Sequence, residues 1–146
     1  MNRSPGTYVL LIKLSRRCRL RIGALGMIEF LPGFYAYVGS AMGGLEARIA
    51  RHLRPIGRKR LHWHIDYFLV AGVALAVFVK TDSQRLECLT ACALGEEFVG
   101  IACFGCSDCR CQSHLFYSPD DQPLIMRLEN NPLRFTRQDP MGMPNR

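Results

Sequence analysis

Three kinds of side chain in this sequence have chemistry beyond packing. Tyr8 lies in "GTYVLLIKL", and Tyr35 and Tyr37 alternate in "FYAYVGSAMGG" just before a run of small residues. A phenol on a strand ordinarily packs and bonds a neighbour through its hydroxyl. To act as a base it needs cations nearby, because its pKa is about 10. His52 and His64 are imidazoles suited to proton transfer or phosphate contact, and His62 reads as a surface donor. The third group is "CFGCSDCRCQSH", where Cys103, Cys106, Cys109, Cys111 and His114 fall within twelve residues. Zinc takes four such ligands, yet structural zinc pairs usually come from two separated knuckles. Two readings stand: a zinc site drawn from those five, or a compact loop in which the thiols pack while Ser107, Asp108 and His114 face a reactive centre.

The totals narrow what these groups can act on. The chain has 146 residues, 49% of them hydrophobic, enough for one domain with a real core. Its formal charge is +7, and sixteen of nineteen cations are arginine, whose forked guanidinium suits phosphate. An anionic partner is expected, and nucleic acid fits better than a membrane because no stretch is long and apolar enough to span one. "RPIGRKRLH" reads as a cationic edge for a phosphate backbone, carried by Arg54, Arg58, Lys59 and Arg60, with Arg51 and His114 as further contacts. The early apolar segment is short and interrupted by Lys13, which argues against a secretory signal and for the cytoplasm. Seven cysteines cannot all pair within one chain, so reduced thiols are expected.

The elements that must position these groups follow from periodicity. Gly6 to Leu14 is a strand with Tyr8, Leu10, Ile12 and Leu14 on one face. Residues from about 15 to 32 read as an inserted hairpin, and "FYAYVG" as the next strand, with Tyr35 and Tyr37 on one face. "LEARIARHLR" repeats Leu45, Ile49 and Leu53 as the buried stripe of a helix, which places Arg48 and His52 together on its flank. "LHWHIDYFLV" is a short helix in which Trp63 packs and Asp66 caps or pairs with arginine. "VALAVFV" reads as a buried central strand. A third helix is expected from about Ser83 to Leu94, capped by Thr81 or Asp82, with Leu86, Leu89 and Ala93 inward. "GIACFG" adds a strand, and everything from Ser118 on reads as a tail or arm without a core of its own. The fold class is therefore α+β: a small, mainly antiparallel sheet flanked by helices, with residues 1–117 as the domain and 118–146 packed on it or poorly ordered.

Gly6-Thr7-Tyr8, Tyr37-Val38-Gly39, a helix carrying Arg48 and a later helix carrying Glu87 resemble, in that order, the GIY-YIG nuclease superfamily. "YAYVGSAMGGLEARIARH", "HWHIDYFL" and "GCSDCRCQSHLFY" are similar to its small stand-alone branch, long filed as a domain of unknown function and grouped with Uri-type endonucleases. Thr7 and Val38 replace the usual isoleucines but keep β-branching. "RRCRLRIGALGMIEF" separates two tripeptides that a tight hairpin usually joins. The resemblance implies metal-dependent endonuclease activity on DNA, leaving strandedness and the choice between DNA and RNA open. It implies Tyr8 as general base, Tyr37 positioning water or phosphate, Arg48 holding phosphoryl oxygens and Glu87 anchoring Mg²⁺ or Mn²⁺, with His52 and His64 assisting. Two competitors remain: a non-catalytic basic nucleic-acid-binding module, with or without zinc to stabilise it, and a redox or metal-storage role for the thiols.

Overall fold

In a computed structural model of the chain, residues 4–55, 57, 60–106 and 109–139 are described. Among them the elements run β1 (Gly6–Leu14), β2 (Cys18–Arg21), β3 (Met27–Phe30), β4 (Gly33–Ala41), α1 (Leu45–His52), α2 (His64–Phe68), β5 (Val73–Thr81), α3 (Glu87–Gly95), β6 (Val99–Gly100), β7 (Leu115–Ser118), α4 (Asp121–Glu129) and β8 (Thr136–Gln138). Six strands form one sheet in the order β6-β7-β4-β1-β5-β8, and every neighbouring pair is antiparallel. β2 and β3 make a separate hairpin, joined by a single 3-10 turn at Gly23–Leu25. The fold is thus α+β, a mainly antiparallel sheet with helices on both faces and an inserted hairpin.

The two strands that carry the tripeptides lie side by side. β1 and β4 pair along their whole length from Gly6↔Ala41 to Leu14↔Gly33, so the insertion leaves and rejoins the ladder at one level. Alternation along β1 then divides the core. Tyr8, Leu10, Ile12 and Leu14 join Tyr35 and Tyr37 beneath α1, α2 and the hairpin. Val9 and Leu11 join Ala36, Val38 and Phe78 on the opposite face, beneath α3 and α4. On the first face Phe68 sits between Phe30 and Tyr35, at ring-centroid distances of 4.8 and 4.9 Å. Tyr35 is buried there and donates to the Leu31 carbonyl at 2.6 Å, a packing role.

Three expectations change. "VALAVFV" is not the central strand: β1 is, and β5 lies one place from the edge. Val73 and Leu75 are exposed because β8 pairs only with Val77–Val79. α3 begins at Glu87 rather than Ser83, since Asp82 accepts from the Gln84 N–H and turns the chain locally instead of capping the helix. Its buried residues are Thr90, Ala91 and Leu94, while Leu89 is 70% exposed. "GIACFG" contributes only Val99–Gly100 before the chain turns at Ala102–Gly105. The described part of the segment after Ser118 takes the packed alternative: Leu124, Ile125, Leu128, Leu133 and Phe135 are buried in the second core layer. Pro123 lies in the first turn of α4, where no N–H is needed from it. No helix among the described residues is long and apolar enough to cross a membrane.

Candidate active site

Tyr8 and Gly39 face each other across the β1–β4 ladder. A side chain at Gly39 would fall on the Tyr8 phenol, so the bare backbone there is what lets the ring lie across β4. Gly6 is similarly confined, between the Lys80 carbonyl and Leu45. Tyr37 lies on the same face as Tyr8, with ring centroids 6.4 Å apart. α1 adds the next two groups, one turn apart. Arg48 donates to the Ser40 carbonyl at 3.1 Å, and its Cζ lies 4.6 Å above the Trp63 ring. His52 is buried, with Nε2 2.6 Å from Tyr8 Oη, a hydrogen bond whose proton sits on either partner according to the imidazole tautomer.

Glu87 arrives from the second layer, at the first turn of α3. Its Oε1 accepts from the Ser40 hydroxyl at 2.7 Å, and its Oε2 lies 2.8 Å from His114 Nδ1. These groups enclose a cleft of about 420 Å³ lined by Tyr8, Tyr37, Ser40, Arg48, Arg85 and Glu87, with Met42, Trp63 and the glycines 39, 43 and 105 completing the wall. Two phenols, two guanidiniums and one carboxylate therefore share a concave site.

Burial sets the protonation states. It drives the Tyr8 phenol well above its ordinary pKa, outweighing the opposing pull of the Arg48 charge. Tyr37 is raised for the same reason, and the neighbouring Tyr8 and Glu87 add to it. Both phenols are neutral near pH 7. Burial also raises Glu87, but bonds from His114 and Ser40 and the charge of Arg85 more than offset it, so the carboxylate is held below its usual range and ionised. His114 moves up: burial opposes its charge, and the bond to Glu87 prevails.

The remaining expected residues separate into distinct roles. His64 does not line the cleft; its Nδ1 accepts the Gly105 N–H at 2.8 Å, and burial lowers its pKa, so it is a neutral tether for the loop after β6. Arg51 is bonded to both carboxylate oxygens of Asp66, at 2.9 and 3.0 Å, to the Arg60 carbonyl, and lies 4.3 Å over Trp63. Its guanidinium holds the α1–α2 junction rather than facing a ligand. Asp66, fully buried, also accepts from the N–H groups of His62 and Trp63, the two residues just before α2. His114 is 1% exposed and stands behind Glu87, so it cannot touch a nucleic-acid backbone directly. Arg54, Arg60 and His62 are exposed, and the His62 ring lies 5.5 Å from that of Trp63, which lines the cleft. Arg58, Lys59, Ser107 and Asp108 lie outside the described residues.

The cysteines rearrange most. Cys109 Sγ is 3.4 Å from His114 Nε2, and Cys88, Cys109, Cys111 and His114 place one ligand atom each within 4.8 Å of one another, a cluster that could hold a metal ion. Cys103 and Cys106 are outside that cluster; Cys106 Sγ donates to the Phe104 carbonyl at 3.3 Å. Cys88 escapes a reading by sequence because it lies twenty-one residues before Cys109, on a helix; its one sequence signal is adjacency to Glu87. Ser40 and Arg85 escape it too. Ser40 directly follows Gly39, and Arg85 lies two residues before Glu87, so both are within reach of the motif.

No curated protein and no solved structure matches the chain. Residues 7–135 match the family model described as Domain of unknown function DUF123, a span that takes in every element from β1 to α4, and the chain belongs to that family.

Proposed function

We propose that the cleft binds a nucleic-acid phosphodiester, with DNA as the substrate class, and hydrolyses it as a divalent-metal-dependent endonuclease of the GIY-YIG kind. The observation that carries this reading is the convergence of Tyr8, Tyr37, Arg48 and Glu87, from four separate elements, on one cleft. Phosphodiester hydrolysis needs a deprotonated water, cations for the growing phosphoryl charge, and help for the departing oxygen.

A standing phenolate at Tyr8 conflicts with its raised pKa, and the bond to His52 supplies a different route. Water gives its proton to Tyr8 Oη while Tyr8 passes its own to His52 Nε2, so the phenol is never left charged. The water oxygen forms a bond to phosphorus, and the bond from phosphorus to the leaving sugar oxygen breaks. Tyr37 orients the water or a phosphoryl oxygen. Arg48, with its Cζ 4.6 Å from the Trp63 ring centroid, directs its remaining N–H donors at the phosphoryl oxygens, and Arg85 adds charge beside them. Glu87 is ionised and keeps lone pairs beyond those engaged by Ser40 and His114, which fits one hard cation retaining most of its waters. Mg²⁺ or Mn²⁺, when bound there, supplies positive charge to the departing oxygen.

The test uses purified protein with labelled single-stranded DNA, duplex DNA and RNA, each with Mg²⁺, Mn²⁺ or EDTA. Cutting is expected only with metal. Tyr8→Phe should slow it about a hundredfold to ten-thousandfold, the usual contribution of a positioned proton acceptor, while binding persists. Binding with no metal-dependent cutting would replace this reading with the non-catalytic module. Cutting that survives both Glu87→Ala and Arg48→Ala would assign it to a contaminant.

A further inference from the structure

Cys88, Cys109, Cys111 and His114 form a cluster that the hydrolytic reading leaves unused. Cys88 stands on the first turn of α3, and the other three lie on the loop that leads into β7. Two segments far apart in sequence thus present three sulfurs and one imidazole nitrogen to a common point. Zinc bonded tetrahedrally at roughly 2.3 Å to sulfur and 2.0–2.1 Å to nitrogen requires sulfur–nitrogen separations of about 3.5 Å. Cys109 Sγ and His114 Nε2 are 3.4 Å apart, and all four ligand atoms lie within 4.8 Å of one another.

The two imidazole nitrogens are already assigned. Nδ1 faces Glu87 Oε2 at 2.8 Å, which leaves Nε2, on the sulfur side, as the nitrogen for a metal. A metal-binding histidine usually gives its other ring N–H to a carboxylate, a backbone carbonyl or a water, which fixes the ring and its tautomer, and Glu87 stands in that place here. Three soft thiolates and an imidazole select zinc over Mg²⁺ or Mn²⁺, which prefer oxygen, and four protein ligands close the coordination shell.

We infer that Cys88, Cys109, Cys111 and His114 bind a structural zinc ion that staples the start of α3 to the loop before β7. The staple fixes His114, and through it the Glu87 carboxylate at the cleft wall. The site is separate from the Glu87 cation of the hydrolytic reading and does not rest on that reading, because its ligands, charge and geometry stand without any substrate.

The experiment needs no nucleic acid. The full chain is purified, given zinc, passed through a desalting column and analysed for metal; a second sample is loaded with Co²⁺ and its absorption spectrum recorded. About one zinc ion per chain is expected, with thiolate-to-cobalt charge-transfer and tetrahedral d–d bands. Cys88→Ser and Cys111→Ser should each lower zinc retained under EDTA challenge at least tenfold, whereas Cys103→Ser and Cys106→Ser should leave it unchanged. Metal-free protein after zinc loading would overturn the inference. So would zinc retained in full by Cys88→Ser but lost by Cys103→Ser. If the cluster variants do not fold, the unsubstituted protein still decides: octahedral cobalt bands without thiolate charge transfer would refute the site, and failure of DNA cutting would not bear on it.

Discussion

Burial keeps the Tyr8 phenol neutral, so the proton route proposed above takes a proton from water at one side of Tyr8 Oη and hands one on to His52 Nε2 at the other. His64 offers the contrasting case, an imidazole kept neutral to hold a loop. Its folded pKa lies below the ordinary 6.5, so below that pH the unfolded chain binds the extra proton and the folded chain resists it. The contribution of His64 to stability is therefore complete above about pH 6.5 and is lost as pH falls toward the folded value. His64→Gln keeps an acceptor for the Gly105 N–H and removes the titration. Thermal melts from pH 7.5 to pH 5 should show the wild-type midpoint falling further than that of His64→Gln. Parallel curves would show that His64 carries no such linkage. Comparing the two proteins cancels every titration that they share.

Among the elements, α4 is the least legible in the sequence and among the most integral to the fold. Leu124, Ile125 and Leu128 have helical spacing, but Pro123, the flanking aspartates and the asparagines at 130 and 131 mask it. Only the open second face of the sheet, above Val9, Leu11, Ala36 and Val38, reveals what they cover. Leu124 is fully buried there, so Leu124→Ala should cost about 2–5 kcal/mol and shift urea unfolding to a lower midpoint with an unchanged slope. A change under about 0.5 kcal/mol would mean that α4 is an appendage after all. Strands β1 and β4 are readable because each is a long run of β-branched, aromatic and apolar residues, and the two-residue period puts Tyr8, Leu10, Ile12 and Leu14, with Tyr35 and Tyr37, on one face. The inner side of α3 is not. Its sequence is apolar all round, so Leu89 looks as buried as Leu94 until the position of Glu87 sets the helix's rotation. Likewise Glu87 and Arg48 are recognisable from motif order, whereas Cys88 and Ser40 gain meaning only once α3 lies against β4.

Across the molecule the excess of arginine is divided between scaffold and surface. Arg51 is bound to Asp66 and Arg127 approaches Glu96 and Glu97, while Arg54 and Arg60 are exposed beyond α1. If the exposed cations neutralise phosphates, DNA affinity should fall linearly with salt on logarithmic axes. Arg54→Ala combined with Arg60→Ala should then make the slope shallower by about 0.9 for each duplex phosphate that is no longer neutralised. Titrations by fluorescence anisotropy at several salt concentrations measure this, and an unchanged slope would move the binding edge elsewhere. The pairing of Leu14 with Gly33 has a separate practical meaning. Because both ends of the β2–β3 excursion are pinned at that rung, extra chain spliced into the exposed stretch 15–17 would loop outward without altering the alignment of Tyr8 with Gly39. That stretch is a ready place to graft a reporter peptide or fluorophore while the cleft at the other end of the ladder goes undisturbed.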